Sequence, residues 1–284
     1  MNILFNRNIK NSEIDDTSST GYNADTHAYI MTNENLRFAM KFMPKNCERA
    51  LTVAASGDHP LWCSLYGAKH VDTFDITYNA KCIMDIKTVA LSCLNLDEYE
   101  FLLRELYYRS NYNLRDLYCC RLRNHDCLWG GSGMFERKIA YKLPPEDLKY
   151  IRKNRKYNLF GSGDIDKYRL PNVLEYENLQ KIVKEPYKFF HTDIKFLSYE
   201  LTESYDFMHL SNIFEHMKIT PNQQEHIIIS LMEHVNVGGR ILFQYLISAP
   251  WQRPPVPEHL CRTHGDSDWR FIRGDMITIL ERCR

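Results

Sequence analysis

Leu51-Thr52-Val53-Ala54-Ala55-Ser56-Gly57-Asp58 and, after a short interval, Val71-Asp72-Thr73-Phe74-Asp75-Ile76-Thr77-Tyr78-Asn79 are the segments whose reading decides the fold. Ala50–Ala55 is an apolar run of the length a buried strand uses, and it breaks at Ser56-Gly57-Asp58. Pro60 suits the first turn of a helix through Leu61–Tyr66, and Gly67 supplies its stop. His70–Ile76 reads as a second strand ending in an acid, Asp75. A helix from Asn79 to Leu94 follows, with Ile83, Ile86, Val89, Ala90 and Cys93 on one face. Strand, turn, helix, strand, helix predicts a parallel sheet, because each crossover helix returns the chain to run in the same direction.

Working outward, Leu36, Ala39, Met40 and Met43 fall at helical spacing until Pro44 stops them, and residues 1–30 form a polar, turn-rich N-terminal arm. Residues 31–284 are expected to make the main domain, with a helical insertion at about 95–186 that carries the glycine loops Trp129–Gly133 and Leu159–Gly163. Strands return at Tyr187–His191, Asp206–Ser211 and Arg240–Ile247. The helix Gln223–Val235 between the last two is closed by a Gly238-Gly239 turn. Pro250–Pro257 is a candidate lid or rigid connector, and Trp269–Leu280 a closing hairpin. The expected fold class is α/β: a Rossmann-like, mainly parallel sheet with helices on both faces.

Composition narrows the function. Lys+Arg 36 balance Asp+Glu 36, so no net field favours nucleic acid, and the Arg152–Lys156 run reads as a solvated helix end. No apolar run approaches the ~18 residues of a membrane span, which leaves peripheral membrane contact as the one form of membrane association. Met1–Asn8 lacks a secretory pattern, so a cytoplasmic chain with nine reduced cysteines is expected. Cys119, Cys120, His125 and Cys127 match no familiar ligand spacing, and no metal is expected. Oligomeric state leaves no mark in the sequence.

A glycine-bearing turn after the first strand and an acid ending the second are what a nucleoside needs: close approach of the backbone, and an acceptor for ribose hydroxyls. The candidate binding residues are Ala55, Ser56, Gly57 and Asp58 in the turn, then Asp75, Ile76 and Asn79 after the second strand. Thr192 and Asp193 follow the third, and Ser211 and Asn212 the fourth. Gly57 is expected against a methionine moiety, Asp75 on the ribose and Asp193 at the adenine. With one glycine in place of the three-glycine fingerprint, a ligand without phosphates fits better, and S-adenosylmethionine is the common one. Asn212, Glu215 and His216 are the candidate catalytic residues: Asn212 to hold a nucleophile, Glu215 or His216 to take its proton, with Phe214 as an aromatic wall. His209, mid-strand, reads as a core histidine. Polar residues at strand ends also serve as ordinary helix caps.

Leu51–Asp58, Val71–Ala80 with Ile86-Lys87, and Tyr205-Asp206-Phe207-Met208-His209-Leu210-Ser211-Asn212-Ile213 resemble the family of S-adenosylmethionine:diacylglycerol 3-amino-3-carboxypropyl transferases over roughly residues 30–250. The family reads there as a Ser-Gly turn, an Asp-Ile-Asn-Pro stretch, a helix carrying a lysine, and a Leu-Ser-Asn motif; Trp129–Glu136 also fits its Gly-rich aromatic segment. Thr77 and Tyr78 stand where the family has Asn and Pro. The resemblance implies a class I S-adenosylmethionine-dependent methyltransferase type of fold. It also implies transfer of a 3-amino-3-carboxypropyl group to an O or N nucleophile of a small-molecule or lipid acceptor, with release of methylthioadenosine. Methyl transfer and non-catalytic nucleoside binding are the alternatives.

Overall fold

The computed structural model describes residues 28–110, 134–154, 160–161, 170–217, 219–246, 254–268 and 275–284. In chain order its elements are β1 (Ala28–Tyr29), α1 (Leu36–Ala39), β2 (Arg49–Val53), α2 (Asp58–Leu65), β3 (His70–Asp75), α3 (Tyr78–Cys93), α4 (Leu96–Ser110), α5 (Pro145–Asn154), β4 (Phe160–Gly161), α6 (Val173–Ile182), β5 (Lys188–His191), α7 (Ile194–Glu200), β6 (Tyr205–His209), α8 (Pro221–Met232), β7 (Val235–Leu246), β8 (Cys261–Asp268) and β9 (Asp275–Arg282). Most of the N-terminal arm, the Cys119/Cys120/His125/Cys127 group, both glycine loops apart from Phe160-Gly161, and Pro250–Arg253 lie outside the described residues.

Seven strands form one sheet in the order β5-β3-β2-β6-β7-β9-β8. The first five in that order are parallel, and β9 runs antiparallel to both β7 and β8. This is the Rossmann-like, mainly parallel sheet expected from the βα units. Alternation along each strand builds the two faces. Leu51, Met208, Ile241, Phe243 and Leu280 pack with α7 and α8 on one side. Ala50, Phe207, Leu242, Ile277 and Ile279 pack with α1 and Trp62 of α2 on the other. A further core joins α3 and α4 to Phe135, Ile139, Ile151 and Tyr176. The described part of the 95–186 stretch is accordingly helical, apart from the short β4, which pairs with β1.

Several boundaries differ from the sequence reading, for local reasons. Helix α2 starts at Asp58, two residues before Pro60, because Gly57 at φ 78° turns the chain directly into it. The helical spacing of Leu36–Met43 resolves into the short α1 plus a 3-10 turn at Met40–Phe42, with Asn35 capping the start by accepting from the Phe38 amide. Gly238-Gly239 lies inside β7 rather than closing a helix, where Gly238 has φ 80° and the β6–β7 register shifts. The closing hairpin begins at Cys261, ahead of the expected Trp269, because β8 pairs with β9 from Cys261–Arg282 onward.

Gly57 is required twice over. Its φ is +78°, and a Cβ there would sit 2.7 Å from the Met84 Cα of α3. Gly67 has φ +104°, but a Cβ added there would meet nothing within 4 Å. Gly57→Ala should therefore destabilise by about 2–4 kcal/mol, adding overpacking to left-handed strain. Gly67→Ala should cost less, from the backbone alone. Urea denaturation of both variants checks the order; equal losses would remove the α2–α3 contact from the account.

Candidate functional site

Because β5, β3, β2 and β6 are parallel, their carboxyl ends open on one edge, and the chain reverses its spread across the sheet between β2 and β6. Such a switch point leaves a crevice between two departing loops. Two non-glycine residues are held at positive φ there, Ala55 at 44° after β2 and Ser211 at 57° after β6. Left-handed backbone at a residue with a Cβ is costly and persists only where surrounding contacts enforce it.

At Ala55 the enforcing contact comes from β3. The Asp75 carboxylate accepts from the Ala55 amide at 3.0 Å and, through its other oxygen, from the Thr77 amide at 3.0 Å. Burial lifts its pKa to about 6, against the pull of these amides and of His191 on β5. Each oxygen keeps a second lone pair for a further donor. Ile76 offers its carbonyl to His191 Nε2 at 3.0 Å, and the Asn79 amide donates to the Thr77 cap at 3.2 Å. The Tyr78 ring lies 4.8 Å from Tyr150 and 5.8 Å from His191, an aromatic margin beside the Asp75 loop. Beneath it, Tyr78 Oη and Lys81 Nζ both reach the buried Asp147 at 2.7 Å, and Lys81 also holds Asp85 at 2.8 Å. Burial and the Asp147 carboxyl push Asp85 up to about 7.

On β5, the Thr192 amide donates to the Asp75 carbonyl at 3.1 Å. Asp193 caps α7, accepting from the Lys195 amide at 2.9 Å. On β6, Ser211 Oγ donates to Glu34 Oε1 and lies 3.2 Å from Asn212 Oδ1. Asn212 Nδ2 donates to Glu215 Oε2 at 3.3 Å, so Asn212, Glu215 and the half-buried His216 share one 3-10 turn. Burial holds His216 below its usual pKa. Phe214 stacks on Phe243 at 5.2 Å, inside the core rather than over the crevice. The turn after β2 and the loops after β3 and β5 thus meet around Asp75, while Asn212, Glu215 and His216 stand apart on the β6 side.

Sequence reasoning missed what holds the turn. Ser56 Oγ and the Thr32 amide both donate to Asp58 Oδ2 at 2.8 Å, and the fully buried Lys87 of α3 pairs with Asp58 Oδ1. Burial lowers the Lys87 pKa, and the Asp58 charge opposes that. Glu34 is buried behind Ser211 and accepts from His59 Nε2 at 2.9 Å. No spacing signal links residues 32–34, 58–59, 87 and 209–211; only the crossing of three loops brings them together.

No family model matches the chain, and no curated protein matches it in sequence. Solved structures similar to it include an rRNA methyltransferase from Streptomyces viridochromogenes, 12% identical over 91% of this chain and 89% of that one, with a TM-score of 0.45. Another is the N-methyltransferase NodS from Bradyrhizobium japonicum in complex with S-adenosyl-L-homocysteine, 8% identical over 89% and 90%, TM-score 0.43. A third, an rRNA methylase from Streptococcus thermophilus, is 8% identical over 88% and 94%, TM-score 0.39. The fold assignment rests on the strand order itself.

The Asp58–Lys87 pair is open to test by a double-mutant cycle. Lys87→Met should destabilise by about 3–5 kcal/mol, because it strands a buried carboxylate. Adding Asp58→Asn should restore part of that loss, giving strong non-additivity. Additive losses in chemical denaturation would mean that the two charges do not meet.

Proposed function

We propose that this chain is an S-adenosylmethionine-dependent transferase, with the donor across the ends of β2, β3 and β5 and the acceptor on the β6 side. The observation that carries the reading is the Asp75 carboxylate, fixed at the end of β3 by an amide of the turn after β2 and still able to accept from a ribose diol. The turn itself fits a ligand without phosphates. It has a single glycine, and the place of that glycine's missing Cβ is filled by α3, so no anion cradle of successive glycine amides is built. On this reading Ala55, Ser56, Gly57 and Asp58 line the methionine end, with Ser56 and Asp58 buried and tied to one another. Ile76, Asn79, Thr192 and Asp193 border the base, beside the Tyr78 and His191 rings.

When bound, S-adenosylmethionine supplies an activated sulfonium leaving group, so the protein's tasks reduce to positioning, exclusion of water and removal of the acceptor's proton. Asn212 is placed to hold an O or N nucleophile through Oδ1, since its Nδ2 is engaged by Glu215. Glu215, or His216 kept neutral by burial, takes the proton. The donor residues serve either outcome; the resemblance to the 3-amino-3-carboxypropyl transferases is what favours transfer of that group to a small-molecule or lipid acceptor, with methyl transfer as the alternative.

Mass analysis of the nucleoside released with a cell extract as acceptor source separates these outcomes. Methylthioadenosine is expected; S-adenosylhomocysteine would reassign the chain to methyl transfer. No binding of S-adenosylmethionine in calorimetry would end the transferase reading.

Asp75 gives a sharper handle. Asp75→Ala should weaken S-adenosylmethionine binding by about 1.5–3 kcal/mol, the worth of charge-assisted hydrogen bonds. In the unsubstituted chain the carboxyl is protonated below about pH 6 and loses acceptor capacity there. Affinity should therefore rise as pH increases through 6 and level off above it, and Asp75→Asn should flatten that profile. An unchanged affinity in Asp75→Ala takes the residue out of the site.

A further inference from the structure

We propose that Glu34, His59 and His209 form a buried binding site for a divalent transition-metal ion, zinc being the class that suits the donors, beneath the switch between β2 and β6. Such a site is independent of the transferase reading and runs against the absence of a metal expected from sequence spacing. The three donors come from separate segments: the stretch before α1, the first turn of α2 and the last residue of β6. One ligand atom from each lies within 4.8 Å of the others, and all three residues are buried. Two imidazoles and a carboxylate make a donor set that divalent zinc accepts, with a fourth position left over.

The hydrogen bonds of the two rings support the site separately. His59 Nε2 sits 2.9 Å from a Glu34 carboxylate oxygen, which only accepts, so that nitrogen carries the proton. His209 Nε2 faces the Gln244 carbonyl oxygen at 3.2 Å and donates likewise. That leaves both Nδ1 atoms, fully buried, with no partner. Protonating either ring only exchanges an unpaired acceptor for an unpaired donor. Buried polar atoms are almost always satisfied, and a bound ion or water is a standard reason for an exception. The two rings are 5.0 Å apart between centroids, so the orphaned atoms belong to one small region.

Charge points the same way. Glu34 is buried and takes hydrogen bonds from His59 and Ser211. Among the described residues, no lysine or arginine pairs with it. A buried carboxylate beside two imidazoles, with no cationic side chain against it, is a place for a cation. Ser211 Oγ, already on Glu34, borders the site. The ion would tie the segment before α1 to the loops after β2 and β6.

The test uses the full chain, stripped with a chelator and titrated with Co2+ as a spectroscopic probe. One equivalent is expected, with visible d–d absorption, no thiolate charge-transfer band, and displacement by Zn2+. Glu34→Gln and His209→Gln should each weaken Zn2+ binding at least tenfold while the far-UV spectrum is retained. Absence of d–d absorption together with absence of bound Zn2+ by elemental analysis overturns the proposal. So does a thiolate band, or an unaltered stoichiometry and affinity in both variants, since each places the ion elsewhere. Should the variants not fold, histidine 15N spectra of the unsubstituted chain decide: zinc should move the nitrogens of two buried imidazoles, and unmoved buried resonances refute the site.

Discussion

Adjacent strands β2 and β6 leave the sheet in opposite directions, and the carboxyl edge is organised around that divergence. Where two parallel strands part, their terminal amides and carbonyls lose ladder partners and must find others. Here the Ala54 amide reaches the Phe74 carbonyl at 2.8 Å and the Leu210 amide the Leu242 carbonyl at 2.9 Å, so each strand is closed off by its outer neighbour. The next residue in each case, Ala55 and Ser211, turns left-handed. The strain is matched by side chains that only this arrangement could gather: Asp75 on the Ala55 amide, Glu34 on the Ser211 hydroxyl.

The segment before α1 is what turns those two loops into one structure. Ile30 and Met31 are buried with α3 and α4, while the Thr32 amide donates to Asp58 and Glu34 accepts from Ser211 and His59. Its apolar residues anchor the segment in that core. Its place is specified by polar groups, and polar groups in a core are costly unless each is matched. Buried ion pairs seldom add net stability compared with an apolar replacement, but breaking one is expensive. The Asp58–Lys87 pair therefore fixes register more than it holds the fold, whose stability comes from the layered cores on the two faces of the sheet.

What could be read from the sequence and what could not follow from this division. The sheet was legible because Ala50–Ala55 and His70–Ile76 are contiguous runs with punctuation at both ends, and periodicity is a local property. Asp75 was legible for the same reason: it is the last residue of its strand. The Gly238-Gly239 pair misled, because paired glycines signal a turn and here they sit in a long strand with an irregular register. His209 was legible as a core histidine and Lys87 as the lysine of its helix, but the partners of Glu34, His59, His209 and Lys87 were illegible in principle. Their partners lie between 25 and 177 residues away, as in His59 with Glu34 or Ser211 with Glu34, and no spacing rule reaches across a crossover. Asp193 shows the intermediate case: its place at a strand end was readable, while its hydrogen bond to the Lys195 amide is that of a helix cap.

The division also bears on chemistry under the proposed reading. A donor with its leaving group already activated asks little of the protein at the reacting bond, so the residues that hold it, around Asp75, are the same whichever carbon is transferred. The choice of carbon is then geometric: it depends on which one is presented to a nucleophile approaching from the β6 side. That side is built by Ser211, Asn212 and Glu215: Asn212 donates to Glu215 within a single turn, and Ser211 is anchored on Glu34. On that reading the geometry of the acceptor side depends on a buried carboxylate, Glu34, through the Ser211 hydroxyl that it holds.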